Sequence, residues 1–125
     1  MRVHNLSAEA VEAIELIDLS TVTEEPPPGD VDFQFHDCTT GIGSFVGRPP
    51  WELHTAGDEL LFILSGECEL TVLEPSGRVS RTLHTGDLAV VPQGCWHNND
   101  SATGVRMIYI TPTDGNDHSW EEPGT

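Results

Sequence analysis

Apolar and polar positions alternate with period two through most of the chain, and glycine, proline or aspartate interrupts the alternation every few residues. That rhythm predicts short strands joined by tight turns, an all-β sandwich or barrel. From Val31 to Cys38, Phe33 and Phe35 fall on one face and Asp32, Gln34 and His36 on the other; the aromatic face is expected to be the core. In Glu59 to Gly66 both faces are apolar. Leu61 and Ile63 share the side of Glu59, and Leu60, Phe62 and Leu64 point the other way, as in a strand covered on both sides by a barrel and by a partner or an N-terminal arm. Gly66 is expected to end this strand, and Glu67 to Leu73 to return with Cys68, Leu70 and Val72 opposed to Glu67, Glu69 and Thr71. Pro75-Ser76-Gly77 reads as a turn and Val79 to His84 as a polar, exposed strand. Gly104 to Pro112 reads as the final strand, with Val105, Met107 and Tyr109 opposed to Arg106, Ile108 and Ile110.

The ends are organised differently. Leu6 to Leu19 carries apolar residues at helical spacing, with Ser7 placed to cap a short helix, although the alternation at Ile14 and Leu16 also permits an edge strand. Thr23 to Asp30, TEEPPPGD, reads as a stiff linker, because consecutive prolines deny a sheet its donors; in an oligomer such an arm could lie across a partner. The chain therefore divides into an N-terminal arm and linker (1–30), a barrel (31–112) and a flexible acidic tail (113–125). Within that tail His118 reads as solvent-exposed, and Trp120 stands out as an anchor, able to close the barrel mouth if it docks.

Chemistry concentrates in two stretches, WELHTAGDELLFILSG from Trp51 and GDLAVVPQGCWH from Gly86. Period two puts Glu52 and His54 on one face. The turn at Ala56-Gly57-Asp58 can fold Glu59 back beside them as a hairpin, and the turn after Pro92 delivers His97. If the two stretches share a sheet, Glu52, His54, Glu59 and His97 meet on its inner face. Unpaired, such carboxylates would be costly to bury; a divalent cation removes that cost. The oxygen-rich set favours manganese or iron, while zinc and nickel also accept it. Cys95, two residues before His97, is an alternative ligand that would shift the preference to zinc, nickel or copper. His36 has a weaker claim on the pocket.

These stretches resemble the two motifs of the cupin superfamily, G(X)5HXH(X)3,4E(X)6G and G(X)5PXG(X)2H(X)3N. Four residues separate His54 from Glu59 and six separate Glu59 from Gly66; Gly86, Pro92, Gly94 and His97 fit the second motif without a gap. The first histidine position holds Glu52, the terminal asparagine position holds Ser101, and the opening glycine falls on Val46, beside Gly47. The resemblance covers about Thr40 to Thr111. It implies a jelly-roll β-barrel (double-stranded β-helix) with the metal ligands in the interior, and it implies dimers.

Composition narrows the partners. Among 125 residues, 21 acids face five bases, all arginine, for a formal charge of -16. That field repels a phosphate backbone, so nucleic acid is not expected, and the lack of lysine removes Schiff-base chemistry. The bland account of the acidity is solubility. The three cysteines, an odd number, do not suggest a disulfide framework. No apolar run reaches the length of a membrane span, and no signal pattern opens the chain, so a cytoplasmic location is expected.

The leading expectation is a metal-dependent enzyme acting on a small organic molecule, of dioxygenase, isomerase or decarboxylase type, working as a homodimer. The alternative is a non-catalytic small-molecule binding or sensing module. A second titratable group placed for proton transfer separates the two; the candidates are Tyr109, His36 and Glu52. Glu52 is expected as a ligand or a base, and Tyr109 as a catalytic group.

Overall fold

The computed structural model describes residues 1, 3–22 and 31–124, and the proline-rich linker expected at 23–30 lies outside them. In chain order the elements are α1 (Ala8–Glu12), β1 (Ile17–Asp18), a 3-10 turn (Leu19–Thr21), β2 (Val31–Phe35), β3 (Cys38–Gly47), β4 (Trp51–His54), β5 (Glu59–Glu74), β6 (Gly77–His84), β7 (Leu88–Val91), β8 (His97–Pro112) and β9 (Asn116–Ser119). The strands form one curled, mixed sheet, a half-barrel consistent with the jelly-roll β-barrel that the resemblance implies, and β5 and β8 are its frame. β5 pairs with β7 along Glu59 to Phe62 and with β6 along Glu67 to Glu74; β8 runs antiparallel beside it throughout.

Two sequence expectations change here. Gly66 does not end a strand. β5 continues through it for 16 residues, with register shifts on either side, so Gly66 is a corner rather than a stop. Its φ is +80°, and a side chain there would strike the carbonyl of Gly104; only glycine lets the two backbones meet so closely. Ser101, in the place of the motif asparagine, secures the same corner. Its hydroxyl donates to Glu67 O at 2.7 Å and accepts from Gly104 N at 3.0 Å.

The expected last strand likewise begins earlier, at His97, and is not the last. After Pro112 the chain turns and pairs again as β9, antiparallel to β4, with Glu52 opposite His118 and His54 opposite Asn116. The polarity of NDHS hides this strand from any apolar pattern. Its order comes from backbone pairing to β4.

The core lies inside the curl and comprises Leu61, Ile63, Cys68, Leu70, Val72, Leu83, Val91, Cys95, Val105 and Met107. Each fully buried aliphatic side chain contributes about 1.5–3 kcal/mol. Leu61, Ile63, Cys68, Leu70, Val72, Val105 and Met107 among them are the residues that the alternation put on one face of β5 or β8. β6 is exposed apart from Leu83, as expected, and Arg78 pairs with Glu122 at 3.0 Å on the surface.

The aromatic face of β2 is not the core. Phe35 is 60% exposed, and Phe33 stacks on the ring of His4. β2 is an outer strand that pairs only with β3 among the described residues, and neither Phe33 nor Phe35 belongs to the buried core. At the other end, Ser7 caps α1 by accepting from Ala10 N at 3.2 Å, and Val11 is buried. The helix forms over Ala8–Glu12 only, and the edge strand is not at Ile14 and Leu16 but follows them, where Ile17–Asp18 adds to β3 in parallel. Arg106 fastens this segment to its own barrel, donating to Ile14 O at 2.9 Å, Glu12 O at 3.2 Å and Ser65 Oγ at 3.3 Å. α1 thus covers the Ser65 end of β5.

Candidate metal centre

Each side chain of the cluster stands at the start or end of a strand. Glu52 and His54 alternate on β4, Glu59 opens β5, and His97 opens β8. The two motifs do not form hairpins. β4 is flanked by β8 and β9, and β5 by β7 and β8, so β4 and β5 have no free edges for each other and meet across the interior. Their turns are stitched together instead. Gly94 N donates to His54 O at 2.8 Å, Gln93 N to Asp58 Oδ1 at 2.8 Å and Gln93 Nε2 to Thr55 O at 2.6 Å. Gly94 takes a φ of +78°, a conformation that favours glycine. The Pro-Gln-Gly turn therefore carries His97 to β4, opposite Glu52.

One nitrogen or oxygen from each of Glu52, His54, Glu59 and His97 lies within 4.8 Å of all the others. His97 Nε2 is 2.9 Å from Glu59 Oε1, and His54 Nε2 is 3.3 Å from Glu59 Oε2 and 3.4 Å from Glu52 Oε2. His97 Nε2 to Glu52 Oε2 is 3.9 Å. His54, Glu59 and His97 are buried, whereas the Glu52 side chain is 29% exposed. An ion bonded at about 2.0–2.2 Å separates opposed ligands by about 4.4 Å. The ion-pair separations of 2.9 to 3.9 Å within the cluster fall inside that span.

The far side of each ring says which nitrogen faces the cluster. His97 Nδ1 stands 3.3 Å from the carbonyl of Cys95, and His54 Nδ1 stands 2.8 Å from Asn116 Oδ1. Both partners are acceptors, so both Nδ1 atoms carry hydrogen and both neutral rings present an Nε2 lone pair inward. Nε2 of His54 is buried without a hydrogen-bond partner. A buried, partnerless nitrogen beside two carboxylates is what a cation would satisfy, and the residues fit a divalent ion.

Protons are the alternative occupants. Burial would lower the pKa of His54, but the facing carboxylates of Glu52 and Glu59 outweigh it and raise it to about 10. His97 follows the same logic: burial opposes its charge, and Glu59 raises its pKa overall. Burial pushes Glu59 up, and the two imidazoles pull it well below the usual carboxylate range. The carboxylates demand positive charge at this point, as protons or as metal.

The structure separates the other candidates. Cys95 is buried in the core, and burial raises its thiol pKa; it supports His97 through its carbonyl and is not among the four donors. His36 sits in the exposed turn between β2 and β3, with a φ of +55°. Tyr109 lies opposite Leu61, packed against the inner core, outside the group of four. His118 is half-buried opposite Glu52 and is not in the group either. Trp120 is half-buried just beyond β9. Asn116 was missed. An asparagine in a polar, turn-rich tail carries no signal of a contact made 62 residues away.

The cupin domain family matches residues 46–111, just over half of the chain, and the protein belongs to that family. Its fold is shared with protein NMB1881 from Neisseria meningitidis, 23% identical, covering 90% of this chain and 100% of that one at a TM-score of 0.60. A cupin-2 domain containing protein from Shewanella frigidimarina is 19% identical, covering 68% of this chain and 82% of that one at a TM-score of 0.53. Oxalate decarboxylase of Bacillus subtilis is 15% identical at a TM-score of 0.58, over 66% of this chain and 24% of that enzyme. No curated protein matches the sequence. No described helix is long and apolar enough to cross a membrane.

Proposed function

We propose that the protein is a metalloenzyme acting on a small organic molecule in the barrel interior, at a divalent ion held by Glu52, His54, Glu59 and His97. The observation that carries this reading is the buried, partnerless Nε2 of His54, facing two carboxylates. Manganese or iron suits the donors best, and the oxalate decarboxylase of similar fold has Mn(II) centres. A bound ion would polarise a substrate oxygen and stabilise the negative charge that develops next to it, the step shared by decarboxylase, isomerase and dioxygenase chemistry. His54 and His97 hold their Nε2 atoms in place, Glu59 supplies a buried charge, and Glu52, the most exposed of the four, holds the ion or takes a proton. Tyr109, packed against the core opposite Leu61, is the candidate proton donor.

Charge selects the substrate. Two carboxylates neutralise a dication, which weakens the pull on a dianion. Arg48, Arg78 and Arg81 are exposed, and Arg106 is committed to the N-terminal segment. The centre therefore suits a neutral or singly charged oxygen ligand such as a hydroxy ketone, a phenol or a monocarboxylate. The test is to load the protein with Mn(II) or Fe(II) and screen these classes for ligation and turnover, comparing Tyr109→Phe with wild type. Ligation with turnover that Tyr109→Phe abolishes, metal retained, supports the enzyme. Ligation without turnover under any condition supports the binding-module alternative.

The protein works as a homodimer in the cytoplasm in this reading. Two rows of apolar residues cross three strands on the outer face: Val90, Leu60 and Ile110, and Leu88, Phe62 and Ile108. Leu88 is 60% and Val90 58% exposed. α1 covers the Ser65 end of β5 but leaves these rows to a second copy, whose own rows are complementary to them. Light scattering is expected to give a dimer that added salt does not dissociate and that Leu88→Asp does; a wild-type monomer at tens of micromolar would reject it. The free thiols of Cys38, Cys68 and Cys95 suit a reducing compartment, and the charge of -16 keeps nucleic acid away.

A further inference from the structure

We infer that Asn116, on the C-terminal strand, is a positioning residue of the metal centre that locks His54 in the tautomer able to bind the ion. The inference rests on the metal reading above and adds a chain segment to it. Asn116 Nδ2 donates to Pro112 O at 2.8 Å and to Thr113 O at 3.1 Å. With the nitrogen committed to two carbonyls, the amide cannot be turned around, and its oxygen must face His54 Nδ1, 2.8 Å away. An amide oxygen only accepts, so Nδ1 must hold the hydrogen and Nε2 the lone pair. The backbone enforces the encounter: His54 and Asn116 are register partners in the β4–β9 pair, so their side chains leave the same face of the sheet. Thr55 extends the clamp, its N and Oγ1 both donating to Gly115 O, at 3.0 and 2.9 Å.

His97 gets the same service from a backbone carbonyl of its own turn, two residues away. His54 relies on a side chain 62 positions later. Asn116 as a whole is solvent-exposed, so water competes for its place, and the expected loss lies at the lower end of the ten- to hundredfold seen for partners of ligating histidines.

The experiment compares wild type, Asn116→Ala and Asn116→Asp by chelator competition for Mn(II) and by NMR of the Zn(II)-loaded proteins, reading the Nδ1 proton of His54. Asp keeps an acceptor for His54 but loses the donors to Pro112 and Thr113, so it separates orientation of the ligand from bracing of the turn. The expected result is Mn(II) affinity about tenfold lower in Asn116→Ala, with its Nδ1 proton lost to exchange, while Asn116→Asp binds as tightly as wild type or more so and keeps the proton. Equal weakening in both variants, or none in either, overturns the inference and leaves the metal centre standing. Wild type that takes up neither metal overturns the centre, and the inference with it.

Discussion

The cluster is built from two pairs that differ in how the fold holds them. Glu59 and His97 are 2.9 Å apart, with side chains only 5% and 1% exposed. They open the two 16-residue strands that frame the barrel. Glu52 and His54 sit on a four-residue strand whose outer edge is closed by the tail strand β9, and Glu52 is 29% exposed. The inner pair is set by the core, and moving it would mean unpacking β5 from β8. The outer pair is set by a short strand and a polar tail. Affinity for an ion should therefore rest on the inner pair, and its tuning on the outer one.

The largest effect expected on that contrast comes from His97→Ala. It removes an inner donor and leaves Glu59 with one imidazole instead of two, so stoichiometric metal should be lost, an affinity drop on the order of a hundredfold or more, beyond the range for outer partners. Metal-free stability should fall by about 3 kcal/mol, the scale for breaking a buried ion pair. Elemental analysis and chemical denaturation read the two quantities. Undiminished metal in this variant would place the site elsewhere.

The same contrast marks what the sequence made legible. The inner pair follows from motif spacing and from the apolar runs of β5 and β8, because deep burial writes itself as period-two hydrophobicity. Glu52 and His54 were placed on one face by alternation alone. The support behind them was not legible, since β9 reads NDHS and is held by backbone bonds that any sequence can make. Gly66 misled for a related reason: a glycine that permits a corner inside a strand looks like one that ends it. The core was misread at β2, where Phe33 and Phe35 alternate as a buried face would but belong to an outer strand, and Leu83 of the polar strand β6 gave no sign of its burial.

Glu52→Gln probes the outer pair at nearly constant volume. Loss of one partly solvated charge should lower metal affinity by about tenfold, comparable to loss of an outer partner, and lower metal-free stability by less than His97→Ala does. Isothermal titration and denaturation check this. Affinity equal to wild type would show that Glu52 does not bind the ion, and turnover lost with affinity intact would make it a base. Affinity lost as completely as in His97→Ala would remove the distinction between the pairs.

The dependence of stability on pH tests where the positive charge of the metal-free site resides. His54 has a pKa of about 10 against an ordinary value of 6.5, so its proton stabilises the fold fully below 6.5, and that contribution fades as pH rises towards 10. Glu59 is depressed below its ordinary 4.5, so its contribution is present above 4.5 and fades as pH falls through its lowered value. The metal-free protein should thus gain most from the cluster between 4.5 and 6.5 and lose melting temperature from neutral pH towards 9. An ion needs the unprotonated Nε2, so its affinity rises over the same interval, and the gap between metal-loaded and chelator-treated melting curves should widen with pH. The contact with Glu52 is the largest single cause that raises His54, beside the two that Glu59 supplies. In Glu52→Gln the alkaline loss should accordingly begin at lower pH, while the acid limb set by Glu59 stays in place. Parallel curves with and without metal across this range, or an unshifted alkaline limb in the variant, would show that the outer pair does not hold the proton the ion must displace.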